Sequence, residues 1–174
     1  MQQRSSKKRQ GGEAGAKPPG DPVQTGIRLL SRRDHSREEL RRKLSLRGHE
    51  QQAIDEAIKA IHRSYCLDDQ AFARSYVRRR SSTRGPLAIA GELAARGIDR
   101  AVSETALAEF DADAQLRAAN LLAIRLYHRE RADLDYRQIV TKVGGKLLRR
   151  GFSMTIARAA CRSLTSGTAQ ITED

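Results

Sequence analysis

The sequence lacks the features that mark membrane, secreted and zinc-binding proteins. Among its 174 residues there is no uninterrupted apolar run of the length, about 18 residues, that a membrane-spanning helix needs. Only two cysteines occur, Cys66 and Cys161, far apart and outside any CxxC spacing, so we expect reduced thiols in a cytoplasmic protein. The first residues are polar, and we therefore expect no secretory signal and no contact with a membrane.

Aromatic residues are also scarce. Tryptophan is absent, and aromatic residues make up 4% of the chain. Most of the tyrosines and phenylalanines have the spacing of core residues, so we expect no platform on which nucleic-acid bases stack. Any contact with nucleic acid would then be weak, made through phosphates and without sequence specificity.

Proline is confined almost entirely to one end of the chain. Three of the four prolines lie in the first 24 residues, together with several glycines and an excess of basic residues. This stretch has almost no bulky apolar side chains to bury, so residues 1–24 are predicted to form a disordered basic arm. Residues 165–174 are polar and are predicted to be frayed.

Between these tails the sequence has the periodicity of helices. Apolar residues recur at intervals of three and four, as Ile54, Ile58 and Ile61 do, and no alternating strand pattern is present. Ser36 and Glu39 have the spacing of a capping box, and Pro86 fits the first position of a helix. The predicted helices of this all-α protein are 26–33, 37–47, 51–63, 69–83, 86–96, 100–110, 114–131, 136–150 and 154–164.

A Leu-x-x-Arg-Gly pattern occurs three times at near-equal spacing and indicates an internal repeat. Each glycine fits the left-handed residue that ends a helix, and each arginine lies in the last helical turn, where a cation contacts free carbonyls. The leucines and glycines of these structural turns are Leu44, Gly48, Leu93, Gly97, Leu147 and Gly151. The sequence therefore predicts three tandem three-helix repeats, at 25–63, 64–111 and 112–164, in an elongated, curved array. One such repeat is too small to bury a core alone.

Positive charge is in large excess, with a formal net charge of +12. This excess predicts a polyanionic partner, either nucleic acid or an acidic protein surface, although helical charge runs can also be plain solvated faces. Basic clusters recur in each repeat, and the cluster at 74–84 contains no acid in its own sequence. We expect the repeats to present one continuous basic stripe. The candidate binding residues are Arg32, Arg33, Arg37, Arg41, Arg78, Arg79, Arg80, Arg84, Lys146 and Arg149.

No arrangement of residues typical of catalysis is present. The four histidines lie on separate predicted helices, and His62 with Cys66 has no second ligand pair to complete a metal site. Phosphate-binding and nucleophile motifs are absent as well. We therefore expect neither enzymatic activity nor a cofactor.

Several short segments occur in a specific order. They are Leu29–Leu40, Leu67–Asp69, Phe72–Ala73, Tyr76–Arg78, Gly85–Pro86, Glu92–Leu93, Arg96–Ile98 and Leu148–Ser153. In this order they resemble the RecX family, regulators of the bacterial RecA recombinase, and the resemblance covers residues 25–164. One departure from the family pattern is Gly144–Gly145, which interrupts the predicted eighth helix.

The resemblance implies a cytoplasmic protein of tandem three-helix repeats that binds the groove of the RecA–DNA filament. Such a protein inhibits ATP hydrolysis and strand exchange, and so regulates DNA recombination, DNA repair and the SOS response. We expect it to be a monomer. The alternative is a direct DNA-binding protein that uses each glycine-turned helix pair as a helix-turn-helix. Against it, the segment 100–110 offers only Arg100 to a DNA groove.

Overall fold

The computed structural model describes residues 20–64, 67–130 and 134–169, with side chains described to residue 165. Within these ranges the chain forms helices and turns without a strand, which confirms the predicted all-α class. Most of the predicted N-terminal arm, residues 1–19, lies outside the described part, and so do Cys66 and residues 170–174 of the predicted tail.

Nine helices follow one another in the described part of the chain. The first unit consists of α1 (Pro22–Leu30), α2 (Arg37–Ser45) and α3 (Gln51–Arg63). The second unit consists of α4 (Asp69–Arg80), α5 (Pro86–Ala94) and α6 (Arg100–Ala108). The third unit consists of α7 (Ala112–His128), α8 (136–149) and α9 (Met154–Ala169). Helix α8 runs through Tyr136–Ile139, a π-helical turn Val140–Gly144 and Gly145–Arg149.

The first and last helices extend beyond their predicted bounds. Helix α1 begins at Pro22, inside the stretch assigned to the disordered arm, so that boundary was wrong. The Asp21 carboxylate accepts hydrogen bonds from the backbone N–H groups of Val23 and Gln24, at 3.0 and 3.3 Å. Proline at the first helical position loses no hydrogen bond, so a residue that suggested disorder starts a helix here. Helix α9 likewise continues to Ala169.

The predicted capping box is only half formed. Ser36 Oγ accepts a hydrogen bond from the backbone N–H of Glu39 at 3.0 Å, as expected. The Glu39 carboxylate, however, accepts from Arg33 at 3.2 Å and lies 3.3 Å from His35 Nδ1. Cationic and imidazole partners therefore replace the backbone N–H that a capping box would offer to this carboxylate.

The three repeated glycine turns have one geometry. Gly48, Gly97 and Gly151 have φ values of +82°, +72° and +86°. In each turn the residue after the glycine donates its backbone N–H to the carbonyl of the repeated leucine, as Ile98 does to Leu93 at 3.1 Å. This bond defines a Schellman turn, in which the leucine and the residue after the glycine pack together. Both are buried in every repeat, which explains the spacing of the sequence pattern.

Within each unit the first helix packs against the third, with the second helix beside them. A separate apolar cluster lies in the first unit and includes Leu40, Leu44, Ile54 and Ile61, with Leu67 from the start of the second unit packed into it. The second and third units share one continuous cluster. The residues of the first unit's cluster are buried within the complete array, so the expectation that one unit alone is too small to bury a core stays a prediction.

Adjacent units meet at the glycine turns. The turn that ends α5 lies on the start of α2, where Ser36 Oγ donates to the Arg96 carbonyl at 2.5 Å. The turn that ends α8 lies on the start of α5, where the N–H of Gly85 donates to the Arg150 carbonyl at 2.8 Å. Each turn of a later unit thus contacts the second helix of the unit before it. We call these two contacts the unit junctions.

The irregularity predicted at Gly144–Gly145 takes the form of the π-helical turn in α8. A Cβ at Gly144 would lie 3.3 Å from Cys161 Sγ, so the glycine allows α8 and α9 to approach closely. The Cys161 thiol is fully buried, and this burial raises its pKa. The cysteine therefore serves as a small core residue.

Candidate partner-binding surface

The ten predicted binding residues divide into two groups according to their ion pairs. Seven of them lie within 4.0 Å of a carboxylate: Arg33, Arg37, Arg41, Arg79, Arg80, Arg84 and Lys146. The other three, Arg32, Arg78 and Arg149, are exposed and make no ion pair with any residue in the described part. Surface ion pairs contribute only about 0–1 kcal/mol, so the paired arginines remain able to exchange partners.

Glu92 neutralises much of the second basic cluster. Its carboxylate accepts two hydrogen bonds from Arg80, both at 2.9 Å, and one from the Tyr76 hydroxyl at 2.6 Å. Arg84 adds a contact at 3.4 Å. The cluster has no acid in its own sequence, but the fold supplies one because α5 brings Glu92 against the end of α4. Hydrogen bonds from Arg80 and Tyr76 hold the pKa of Glu92 at about 2, below its ordinary value of 4.5.

This depressed pKa predicts loss of stability in acid. A carboxyl group with a lower pKa in the folded state stabilises the fold above about pH 4.5, and this contribution is lost as the pH falls towards 2. We therefore expect the Tm of the protein to exceed that of a Glu92→Gln variant at pH 7. The difference should shrink steadily between pH 5 and pH 2.5 in thermal denaturation. A difference that is independent of pH would contradict the role assigned to the carboxylate.

Two of the predicted binding residues hold the first unit against the second. Arg37 Nε lies 3.7 Å from the Asp69 carboxylate, which also accepts the backbone N–H of Arg37 at 2.9 Å. Arg79 reaches back from α4 to Asp34, at 3.5 Å. Each of these ion pairs joins a residue of the first unit to a residue of the second. Arg37 and Arg79 therefore stabilise the packing of the two units and also contribute to the basic surface.

The arginines that precede the turn glycines have the structural role predicted for them. Arg47, Arg96 and Arg150 each donate to the carbonyl four residues earlier, at 2.8, 2.7 and 3.4 Å. Arg96 also covers the ring of Tyr76, with 4.5 Å between its guanidinium carbon and the ring centroid. This cation–π contact, and an ion pair with Glu39 at 3.5 Å, place Arg96 at the centre of the first unit junction.

A buried histidine lies at the same junction. His35 is 4% exposed, and this burial, with the nearby charge of Arg33, lowers its pKa. Burial alone would raise the pKa of Glu39, but Arg33, His35 and Arg96 outweigh it and lower that pKa. At neutral pH the junction therefore contains a neutral imidazole and an ionised carboxylate.

The third cluster is partly neutralised by an acid from the preceding helix. Glu130, which follows α7, pairs with Lys146 and lies 3.9 Å from Lys142. These lysines hold the pKa of Glu130 below its ordinary value, the hydrogen bond from Lys146 being the main cause. Of the two predicted binding residues in this cluster, Lys146 has an acidic partner and Arg149 has none among the described residues.

Two basic residues on α7 are not among the ten predicted binding residues. Arg117 and Arg125 are exposed and form no ion pair with described residues. They lie eight positions apart, with the exposed Leu121 halfway between them, so all three share one face of the helix. Their spacing of four residues indicates in the sequence that they share a helix face. Only the fold places this face opposite Arg74 and Arg78 of α4.

The structure also bears on the metal-binding, membrane-spanning and helix-turn-helix classes of protein. No group of three or more histidine, cysteine or acidic residues is placed to hold a metal ion in the ranges that the structure describes. None of the helices in those ranges is both long and apolar enough to cross a membrane. On α6, the helix that a helix-turn-helix would use as its reader in the second unit, Arg100 pairs with Glu104 at 2.7 Å.

The fold and this surface define an all-helical protein of three tandem units with basic side chains exposed along them. Family models of RecX match here, the first three-helix domain at residues 24–59 and the second at residues 68–107. The chain belongs to the RecX family of regulatory proteins.

Similar proteins support this assignment in sequence and in structure. The regulatory protein RecX of Xanthomonas axonopodis pv. citri is 40% identical over 142 residues, which are 81% of this chain and 86% of that protein. The protein of Stenotrophomonas maltophilia is 37% identical over the same length, 81% of this chain and 85% of its own. The crystal structure of RecX from Lactobacillus salivarius has a TM-score of 0.73 at 29% identity and covers 83% of this chain and 94% of that one.

Proposed function

We propose that this protein is a negative modulator of the RecA recombinase that binds the RecA–DNA filament and inhibits its ATPase and strand-exchange activities. It acts without catalysis or a cofactor, as a monomer in the cytoplasm, and thereby restrains DNA recombination, DNA repair and the SOS response. Membership of the RecX family is the observation that carries this proposal.

The arrangement of charge supports a filament as the partner. Exposed arginines that make no ion pair with a described residue occur in all three units, at Arg32, Arg78 and Arg149, so contacts can be made along the whole array. Weak contacts that are spread over several sites of one partner add to a strong interaction. Arginine is suited to both phosphate and carboxylate, the two anionic groups that a protein–DNA filament presents.

The binding surface proposed here consists of the ten predicted residues, with distinct contributions. Arg32, Arg78 and Arg149 are free to contact the filament at once. The paired residues, such as Arg80 and Lys146, must first exchange an internal carboxylate for an external one. An ion pair with an internal carboxylate and one with an external anion differ little in energy, so the exchange adds little to binding. We therefore expect the free arginines to contribute most of the affinity.

The proposal predicts inhibition of RecA at low ratios of inhibitor to RecA. RecA is assembled on single-stranded DNA with ATP, the purified chain is added at one molecule to about ten of RecA, and phosphate release is followed. We expect ATP hydrolysis to slow at this substoichiometric ratio, because one array contacts several RecA subunits in the filament. Strand exchange is measured in parallel.

Two results would contradict the proposal. One is unchanged ATP hydrolysis and strand exchange at an excess of the chain over RecA. The other is a loss of inhibition when naked competitor DNA is added, in proportion to the phosphate concentration of that DNA. That second result would favour a protein that binds DNA directly and only competes with RecA for it.

A further inference from the structure

A cleft between the second and third units differs from the rest of the surface. It has a volume of about 350 Å³ and lies between α4 and α7, above the chain segment that joins α6 to α7. Its floor is apolar, formed by Val77 and Phe110, which are each 5% exposed. On its rim the side chain of Leu121 is 56% exposed. Leu121 and the apolar floor together form an apolar strip inside the cleft, which the side chain of a ligand can contact.

Four arginines surround this apolar floor. Arg74 and Arg78 lie one helical turn apart on α4, and Arg117 and Arg125 lie two turns apart on α7. All four are exposed, and none has an ion pair with a described residue. The single acid that lines the cleft is Glu109, at the end of α6. The cleft thus presents a strong local excess of positive charge on both of its sides.

We infer that this cleft is a docking site for an acidic peptide segment that carries a large apolar side chain. The arginines would pair with the carboxylates of the segment, while its apolar side chain covers Val77, Phe110 and Leu121. This site goes beyond the proposed function, because it is defined without reference to a filament or to DNA.

Two features favour a peptide over a nucleic-acid strand. Among the described residues that line the cleft, the aromatic side chain is that of Phe110, which is buried and offers no exposed ring on which a base can stack. Glu109 repels a phosphodiester, which has no hydrogen-bond donor to offer it, whereas a peptide backbone has N–H groups that a carboxylate accepts. An apolar floor also suits a side chain better than a sugar–phosphate backbone.

The test measures binding of a defined probe by fluorescence anisotropy at low salt. The probe is a fluorescein-labelled peptide of aspartate and glutamate with one central leucine, and the comparison probes are the same peptide with serine in place of leucine and an oligothymidylate of similar length. We expect the leucine peptide to bind, and the serine peptide to bind at least about threefold more weakly because it loses the apolar contact.

Two variants locate the binding to the cleft. The double variant Arg74→Glu, Arg117→Glu is expected to weaken binding of the leucine peptide at least about tenfold. The matched control Arg137→Glu, Arg158→Glu changes net charge equally at exposed residues that do not line the cleft, and should leave affinity within about twofold. Leu121→Ser, at an exposed position, should abolish the preference for the leucine peptide.

Several outcomes would overturn the inference. Absence of measurable peptide binding would do so, as would equal losses in the cleft and control variants. If the oligothymidylate bound as tightly as the leucine peptide, and the cleft variant weakened both probes equally, the cleft would be a nucleic-acid surface instead. None of these results involves RecA, so they leave the ATPase test of the proposed function untouched.

Discussion

Replacing Gly151 by alanine is expected to lower the free energy of unfolding by about 2–5 kcal/mol. Residue 151 has a φ of +86°, and an L-residue in this left-handed region costs about 1–2 kcal/mol. The new Cβ would also overlap the backbone nitrogen of Ala88, so α5 would have to move away from the turn. Overpacking of this kind costs about 1–3 kcal/mol more. Denaturation with urea, followed by circular dichroism, measures the change.

The matched control is Gly48→Ala. Gly48 has nearly the same φ, +82°, but no atom of the described residues lies within 4 Å of the position of its Cβ. Its loss should be limited to the backbone strain of about 1–2 kcal/mol. Equal losses in the two variants would show that the turns do not form the unit junctions described here.

The double variant Arg78→Glu, Arg79→Glu is expected to bind RecA–DNA filaments at least about tenfold more weakly, which corresponds to about 1.4 kcal/mol. Arg78 is exposed without an acid partner in the described part, and the side chain of Arg79 is 53% exposed beside Asp34. Charge reversal replaces two attractions to an anionic partner by two repulsions. For the unaltered chain, affinity should fall steeply as salt is raised, since phosphate and carboxylate contacts are both screened.

The control for this variant is again Arg137→Glu, Arg158→Glu, which alters net charge by the same amount at other exposed positions. Thermal denaturation should show that the Arg78–Arg79 variant remains folded, because the exposed ion pair of Arg79 with Asp34 contributes only about 0–1 kcal/mol. Both variants are then titrated against filaments and against naked duplex DNA. A loss confined to filaments supports the proposed function, whereas equal losses on both support direct DNA binding.

The local parts of the fold were predictable from the sequence. The Leu-x-x-Arg-Gly pattern predicted three turns, and the structure has a Schellman turn at each one, with left-handed glycines. The order of the helices was predictable for the same reason, since caps and helical periodicity act over a few residues. The start of α1 was not, because proline is common both in disordered segments and at the first position of a helix.

The candidate surface was less predictable. Composition and charge clustering pointed to a polyanionic partner, but they did not show which cations are free. Arg80 meets Glu92 from the next helix, and Arg37 meets Asp69 from the next unit. These carboxylates are too far along the sequence to be assigned as partners from spacing alone. The cleft between α4 and α7 was missed for the same reason.

The sequence by itself determined the helical class, the threefold repeat and the net charge of +12, because these depend on local backbone preferences and on composition. Only the tertiary structure decided how the units meet and which arginines keep a free charge. A turn glycine permits close approach to the preceding unit, to the Glu38 side chain at Gly97 and to the Ala88 backbone at Gly151, whereas no described atom lies within 4 Å of the Cβ position of Gly48. Ion pairs within 4.0 Å require side chains from different helices to converge, and that convergence is set by the packing of buried leucines and isoleucines rather than by the charges.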